Sequence, residues 1–108
     1  MTDVTDGASA RVRRPEWVAH VLDDAAEPPR AVLLHLPSGR RIGLSDTATR
    51  VWREIVDAGE AGIDATEVAD RIAPEYGVAT EAIVADIVEL YGQLLEGEWA
   101  EAVNGEPS

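Results

Sequence analysis

AVLLHLPSGRRIGLSDTATRVWREIV, residues 31–56, contains the change of hydrophobic period on which the fold turns. Ala31 to Leu36 is a β-prone run, and Pro37-Ser38-Gly39 supplies turn chemistry, with proline presetting φ and glycine free to take positive φ. Arg40 to Leu44 returns as a short strand, so the segment predicts a β-hairpin. From Ser45 the spacing changes. Ser45 or Asp46 can cap a helix, and Ala48, Val51, Trp52, Ile55 and Val56 follow the i, i+3, i+4, i+7, i+8 stripe of one helix face. That helix is expected to end near Ala58, ahead of Gly59.

Upstream, Trp17 to Leu22 (WVAHVL) reads as a further strand, closed by a loop containing Pro28-Pro29. Alternation with period two puts Trp17, Ala19 and Val21 on one face, with Val32, Leu34, Leu36, Ile42 and Leu44. This is the face expected to be buried. His20, His35, Arg41 and Gly43 fall on the opposite, solvent side. Downstream, Asp64-Ala65-Thr66-Glu67 resembles a capping box and opens a second helix through Val68, Ala69 and Ile72, expected to end near Ala73 because Pro74 lacks a helix donor. A third helix starts around Thr80. Its stripe of Ile83, Val84, Ile87, Leu90, Tyr91, Leu94 and Leu95 ends at Gly97, placed for the C′ position. The predicted order is β-β-β-α-α-α, an α+β fold with a three-stranded antiparallel sheet followed by three helices.

The chain has 108 residues, enough for one small domain. Residues 1–14 and 102–108 carry too little apolar surface to offset ordering entropy, so they are expected to form a flexible arm and a flexible acidic tail around a domain at 15–101. A net charge of −12 has the wrong sign for coating a phosphate backbone. With no cysteine there is neither a disulfide, nor a thiolate nucleophile, nor a thiolate metal site. Met1 to Ala10 lacks the apolar core of a signal peptide, and no later run reaches the ~20 apolar residues of a membrane span. The expected location is cytoplasmic, away from membranes.

Few residues carry chemistry. His20 and His35 sit inside apolar strands without a Ser, Asp or Glu at catalytic spacing, and read as half-buried or solvent-face histidines. Glu67, Asp70, Glu81, Asp86 and Glu89 are spread along helix surfaces without the pairing of a calcium loop or a carboxylate dyad. Glycine-rich phosphate loops are absent. The residues therefore predict no catalytic group, no metal and no cofactor, hence a protein that is not an enzyme.

Taken together, VLLHLPSGRRIGLSDTATRVWREIV and ATEVADRIAPEYGVATEAIVADIVELYGQLLEGEW resemble the PqqD-like family of small peptide-binding domains, the recognition elements for leader peptides of ribosomally made, modified peptides. The resemblance covers residues 17–99. It is carried by Pro37-Ser38-Gly39, Ser45-Asp46-Thr47-Ala48, Val51-Trp52, Tyr76-Gly77-Val78 and the Asp86-Ile87-Val88 to Leu94-Leu95 segment, in that order and spacing. Within the family the chain is most similar to free-standing recognition proteins of lasso-peptide clusters. Quinone-pathway members usually carry Cys-Asp-Gly after the first helix, where this chain has Val56-Asp57-Ala58-Gly59. Pro74 and the long Ala58 to Ile63 connection also depart from the family pattern.

The resemblance implies a winged helix-turn-helix that binds a precursor leader peptide by adding it as a strand beside Arg40, Arg41, Ile42, Gly43 and Leu44. Ile83, Asp86, Ile87 and Leu90 of the third helix would line the groove. It also implies a partner cysteine leader peptidase, with a macrolactam synthetase acting next. Two other functions share this architecture: a DNA-binding winged helix, and a recognition chaperone of another modified-peptide pathway such as pyrroloquinoline quinone biosynthesis. Against the first, residues 79–98 contain no Arg or Lys and include Glu81, Asp86, Glu89, Glu96 and Glu98. A carrier protein is a further class, but Leu44-Ser45-Asp46 reverses the Asp-Ser-Leu order such proteins need.

Overall fold

A computed structural model of the chain describes residues 10–23 and 25–103. The hairpin anticipated around Pro37-Ser38-Gly39 is present. Strands β2 (Val18–Asp23), β3 (Arg30–His35) and β4 (Arg40–Ser45) form an antiparallel sheet in the order β2-β3-β4. Gly39 takes φ 78° in the turn, a conformation that favours glycine, and its N–H donates to the His35 carbonyl at 2.7 Å. Helices α1 (Thr47–Ala58), α2 (Ala65–Tyr76) and α3 (Thr80–Glu96) follow, so the expected α+β order holds.

A second sheet was not anticipated. Strand β1 (Arg11–Arg13) lies between β5 (Ile63–Asp64) and β6 (Glu101–Ala102), all antiparallel. Val12 is fully buried there, and Arg13 pairs with Glu101 at 2.8 Å. The arm expected at 1–14 is therefore structured at Arg11–Arg13, and the tail expected at 102–108 starts inside a strand at Ala102. The rest of both segments lies outside the described residues, apart from Ala10, Arg14 and Val103. Gly62, at φ 75°, is where this sheet closes: a Cβ there would meet Val103 Cγ2 at 2.6 Å and the Val12 carbonyl at 2.9 Å.

The faces of β2 and β3 are the reverse of the expectation. Val18, Ala31, Leu33 and His35 are buried, whereas Val21, Val32 and Leu36 are exposed. The cause is the β4 register. Ile42 pairs with Leu33, which pairs in turn with His20, and Leu44 pairs with Ala31, which pairs with Leu22, so the inward parity of β4 selects the odd residues of β3 and the even residues of β2. His20 and His35 consequently face the core, while Arg41 and Gly43 remain on the outer face as expected.

The helices pack on the inner face. Trp52, Ile55, Val51 and Ile72 are fully buried among Val68, Ile83, Ile87 and Leu94. Glu54, itself buried, accepts from Arg50 at 2.6 Å and Arg71 at 3.0 Å, and Arg50 also clasps Glu75 at 2.7 and 2.8 Å, tying α1 to α2. The hydrogen bonds from Arg50 hold the Glu75 carboxyl below its usual pKa. Tyr91 of α3 donates its hydroxyl to the Ile63 carbonyl at 2.9 Å, and burial pushes that phenol upward.

Two helix ends differ from the reading. Asp64 does cap α2, accepting from Glu67 N–H at 2.8 Å, but α2 runs through Pro74 to Tyr76. Pro74 lies within the last turn, and Gly77 in the left-handed conformation closes the helix with bonds back to Pro74 and Ala73. At the end of α3 the left-handed residue is Glu98 (φ 67°), one position beyond Gly97. Trp99 N–H then reaches back to the Leu94 carbonyl at 2.8 Å, folding the indole against the helix it has just left.

Candidate functional site

Strand β4 is an edge. Among the described residues it pairs only with β3, so its other side presents backbone donors and acceptors without a strand partner. A cleft of about 500 Å³ opens beside it, lined by Ile42, Gly43, Leu44, Ala48, Leu90, Gln93, Leu94 and Trp99. One wall is therefore β4, the other α3, and Trp99 stands at one end. Gly43 carries no Cβ, and the space one would occupy has no atom within 4 Å, which leaves the strand open to close approach.

The end at Trp99 is built by polar contacts. The Arg40 guanidinium lies over the indole with its carbon 5.2 Å from the ring centroid, donating to the Gly97 carbonyl at 3.1 Å and to Ser38 Oγ at 3.1 Å. His35 meets the same indole edge to face at 5.9 Å, with Nδ1 2.7 Å from Ser38 Oγ and Nε2 3.3 Å from a Glu98 carboxylate oxygen. Trp17 Nε1 donates to the Glu98 carbonyl at 3.0 Å. The turn before β4 and the last turn of α3 are thus fastened together at one end of the cleft.

The residues named from the sequence are distributed unevenly around this cleft. Ile42, Gly43, Leu44 and Leu90 line it. Arg40 braces Trp99, and Arg41 sits on the outer face, paired with Leu34. Ile83 and Ile87 are buried in the core, beneath the groove wall. Asp86 is exposed one turn before Leu90 on the same stripe of α3, as its spacing dictates. Ala48, Gln93, Leu94 and Trp99 were not anticipated as lining residues. Ala48 and Leu94 carried only a core signal, and Trp99 lies past the helix, where no periodicity reaches it.

Histidine 20 offers no catalytic arrangement. Its ring is edge-on to Trp52 at 6.1 Å, its Nδ1 is buried without a hydrogen-bond partner, and burial with nearby Arg14 lowers its pKa. Groups of three or more potential metal ligands are absent among the described residues. Nor is any helix among them long and apolar enough to cross a membrane.

The family described as Coenzyme PQQ synthesis protein D (PqqD) matches residues 30–100. The chain belongs to the PqqD family. The matched segment begins with β3 and ends after Trp99, so both walls of the cleft and the indole at its end lie within the PqqD domain, whereas β1 and β2 precede it. A solved structure described as TbiB1 in complex with the TbiA(beta) leader peptide is similar to this PqqD-family chain at 26% identity and a TM-score of 0.68, covering 89% of this chain and 99% of that one. No curated protein matches the chain significantly.

Proposed function

We propose that this chain binds the leader segment of a ribosomally made precursor, of the lasso-peptide type, as an added strand on β4, and presents it to a separate cysteine leader peptidase. The observation that carries this reading is the free edge of β4 beside a cleft with apolar side chains from Ile42, Leu44, Leu90 and Trp99, in a chain similar over nearly its whole length to one solved with a leader peptide. β-Augmentation matches the geometry: backbone groups of Arg40 to Leu44 supply the ladder, and alternate peptide side chains enter the cleft between Ile42, Leu44, Leu90 and Trp99. Arg40, Arg41 and Gly43 belong to this strand, Ile83 and Ile87 support its far wall, and Asp86 extends that wall beyond Leu90. The chain acts by binding alone, raising the concentration of leader at the peptidase, with a macrolactam synthetase acting afterwards.

Roughly four ladder hydrogen bonds at about 1 kcal/mol each and two apolar anchors at about 2 kcal/mol each give about 8 kcal/mol. That is micromolar affinity before the entropy of ordering the peptide is subtracted. The test is a fluorescence-anisotropy titration of a synthetic leader peptide of a lasso-type precursor, with Leu90→Asp as control. Saturable binding that is lost in Leu90→Asp, while the circular dichroism is unchanged, is the expected result. Equal binding by both proteins would overturn the assignment to the cleft.

A further inference from the structure

Two hydrogen bonds fix the direction in which each residue of β4 bonds. Asp46 N–H donates to the Pro29 carbonyl at 3.1 Å, one step beyond the Arg30–Ser45 pair. Leu36 N–H donates to the Trp17 carbonyl at 2.9 Å, so the even residues of β3 bond to β2 and the odd ones to β4. Bonding direction alternates along an antiparallel strand. Ile42 and Leu44 therefore turn their N–H and C=O groups toward β3, and Arg41 and Gly43 turn theirs toward the free edge. The ladder offered to an added strand belongs to two residues of the outer face, not to those whose side chains line the cleft.

Gly43 is one of these two, and nothing local requires a glycine there. Its φ lies outside the positive range, and no atom stands within 4 Å of the place a Cβ would take. Glycine in a strand interior weakens the strand and marks a close approach. Across the sheet Gly43 shares a row with Val32 and Val21, which are 44% and 67% exposed. The missing side chain thus leaves a bare stretch of backbone at the edge, open to solvent, with Val32 as its far wall.

A strand added to β4 lies about 4.8 Å beyond it. The residue that pairs with Gly43 points its side chain to the same face as Gly43 and Val32, two strand spacings from Val32, roughly 9.6 Å. A valine or serine at that position stops over Gly43. An aromatic ring laid across the bare backbone reaches the Val32 methyls, as aromatic residues cover edge glycines in other sheets. Arg41, the next outward residue on β4, can then cover the face of the ring.

We infer that the outer face of β4 at Gly43, bounded by Val32 and Arg41, is a second subsite for the leader and takes an aromatic side chain. This inference rests on the strand-addition reading above. The cleft reads leader residues of one parity and Gly43 reads a residue of the other, which makes Gly43 a specificity-determining residue.

The experiment is a set of double-mutant cycles by fluorescence anisotropy, using the purified full chain and single-alanine variants of the synthetic leader peptide. Gly43→Val fills the space over the backbone, Gly43→Ala fills part of it and Val32→Ser removes the far wall, with circular dichroism as the check on each fold. At one aromatic position of the peptide, alanine is expected to cost about fivefold with the unmutated chain and less than about twofold with Gly43→Val. Gly43→Ala and Val32→Ser are expected to shrink the same effect to an intermediate value. That position lies an odd number of residues from those whose alanine effect is lost in Leu90→Ala. Alanine effects that are equal in the unmutated chain and all three variants, coupling at an even spacing, or tighter leader binding by Gly43→Val each overturns the inference, while loss of binding in Leu90→Asp keeps the cleft reading. Failure of the unmutated chain to bind the leader at all overturns both.

Discussion

Arg40 and Trp99 hold each other at one end of the cleft, the guanidinium carbon 5.2 Å from the indole centroid and its N–H on the Gly97 carbonyl at 3.1 Å. Strand β4 and the end of α3 are joined through this pair. Whatever moves the indole changes the width of the cleft.

Gly97→Ala tests that relationship. A Cβ at Gly97 would stand 2.5 Å from Trp99 Nε1 and 2.6 Å from its Cδ1, so the ring must shift. Overpacking of this kind costs about 1–3 kcal/mol. The expected outcome is a lower midpoint in urea denaturation together with at least fivefold weaker leader binding. Arg40→Ala, which removes the stacking without a clash, is expected to cost about 0.5–1 kcal/mol in the same measurement.

Cleft and core residues on α3 should separate in titrations of the labelled leader. Leu90→Asp puts a charge into the lined cleft and is expected to abolish binding with the fold intact. Ile87→Asp buries the charge in the core, since Ile87 is 1% exposed, and is expected to unfold the chain. Asp86→Asn, beyond the cleft lining, should change affinity less than Leu90→Asp does.

The α1–α2 clasp predicts a stability effect remote from the cleft. Glu54→Ala removes the acceptor shared by Arg50 and Arg71 and is expected to cost about 2 kcal/mol, in line with hydrogen bonds to charged groups. Leader affinity, measured below the denaturation midpoint, should be unchanged.

Acid lability should begin near neutral pH. His20 has a folded pKa below its ordinary 6.5, because burial and then Arg14 disfavour the imidazolium. The unfolded chain therefore takes up this proton first, so the stabilisation is complete above pH 6.5 and is lost as pH falls toward the lower folded value. Glu75, also held below its ordinary 4.5, adds a second loss at more acidic pH. Urea titrations across pH 5–8 should show stability declining toward pH 5, and His20→Gln should flatten that slope while leaving the acidic one.

Strand β1 should be a structural requirement. Removing residues 1–13 deletes the fully buried Val12 and the Arg13–Glu101 pair, exposing Ile63. The loss is expected to be about 3 kcal/mol, close to the value of one buried apolar side chain at the upper end of its range. A thermal melt of the truncated chain against the full one measures it.

Much of this was legible in residues 31–56. A turn with Pro and Gly between two β-prone runs, followed by a stripe at helical spacing, determines a hairpin and then a helix whatever surrounds them. Asp64 as a cap and the long α3 stripe are local in the same sense, and so is the edge strand at Arg40 to Leu44, whose Ile42 and Leu44 alternate cleanly with Arg41 and Gly43. The faces of β2 and β3 were not legible. Ala31-Val32-Leu33-Leu34 is apolar at both parities, so alternation has nothing to choose between, and the choice passes to the partner strand whose parity is unambiguous. Trp99 joins the cleft only because the chain reverses at Glu98, and Arg11–Arg13 becomes a strand only because β5 and β6 come to either side of it. The sequence by itself determined the three strands of the β2-β3-β4 sheet, the three helices and the edge position of β4, through short-range periodicity and turn chemistry. Tertiary structure alone decided which side of the sheet is buried, what closes the cleft and where the chain ends join the fold, because those depend on pairings between residues far apart along the chain.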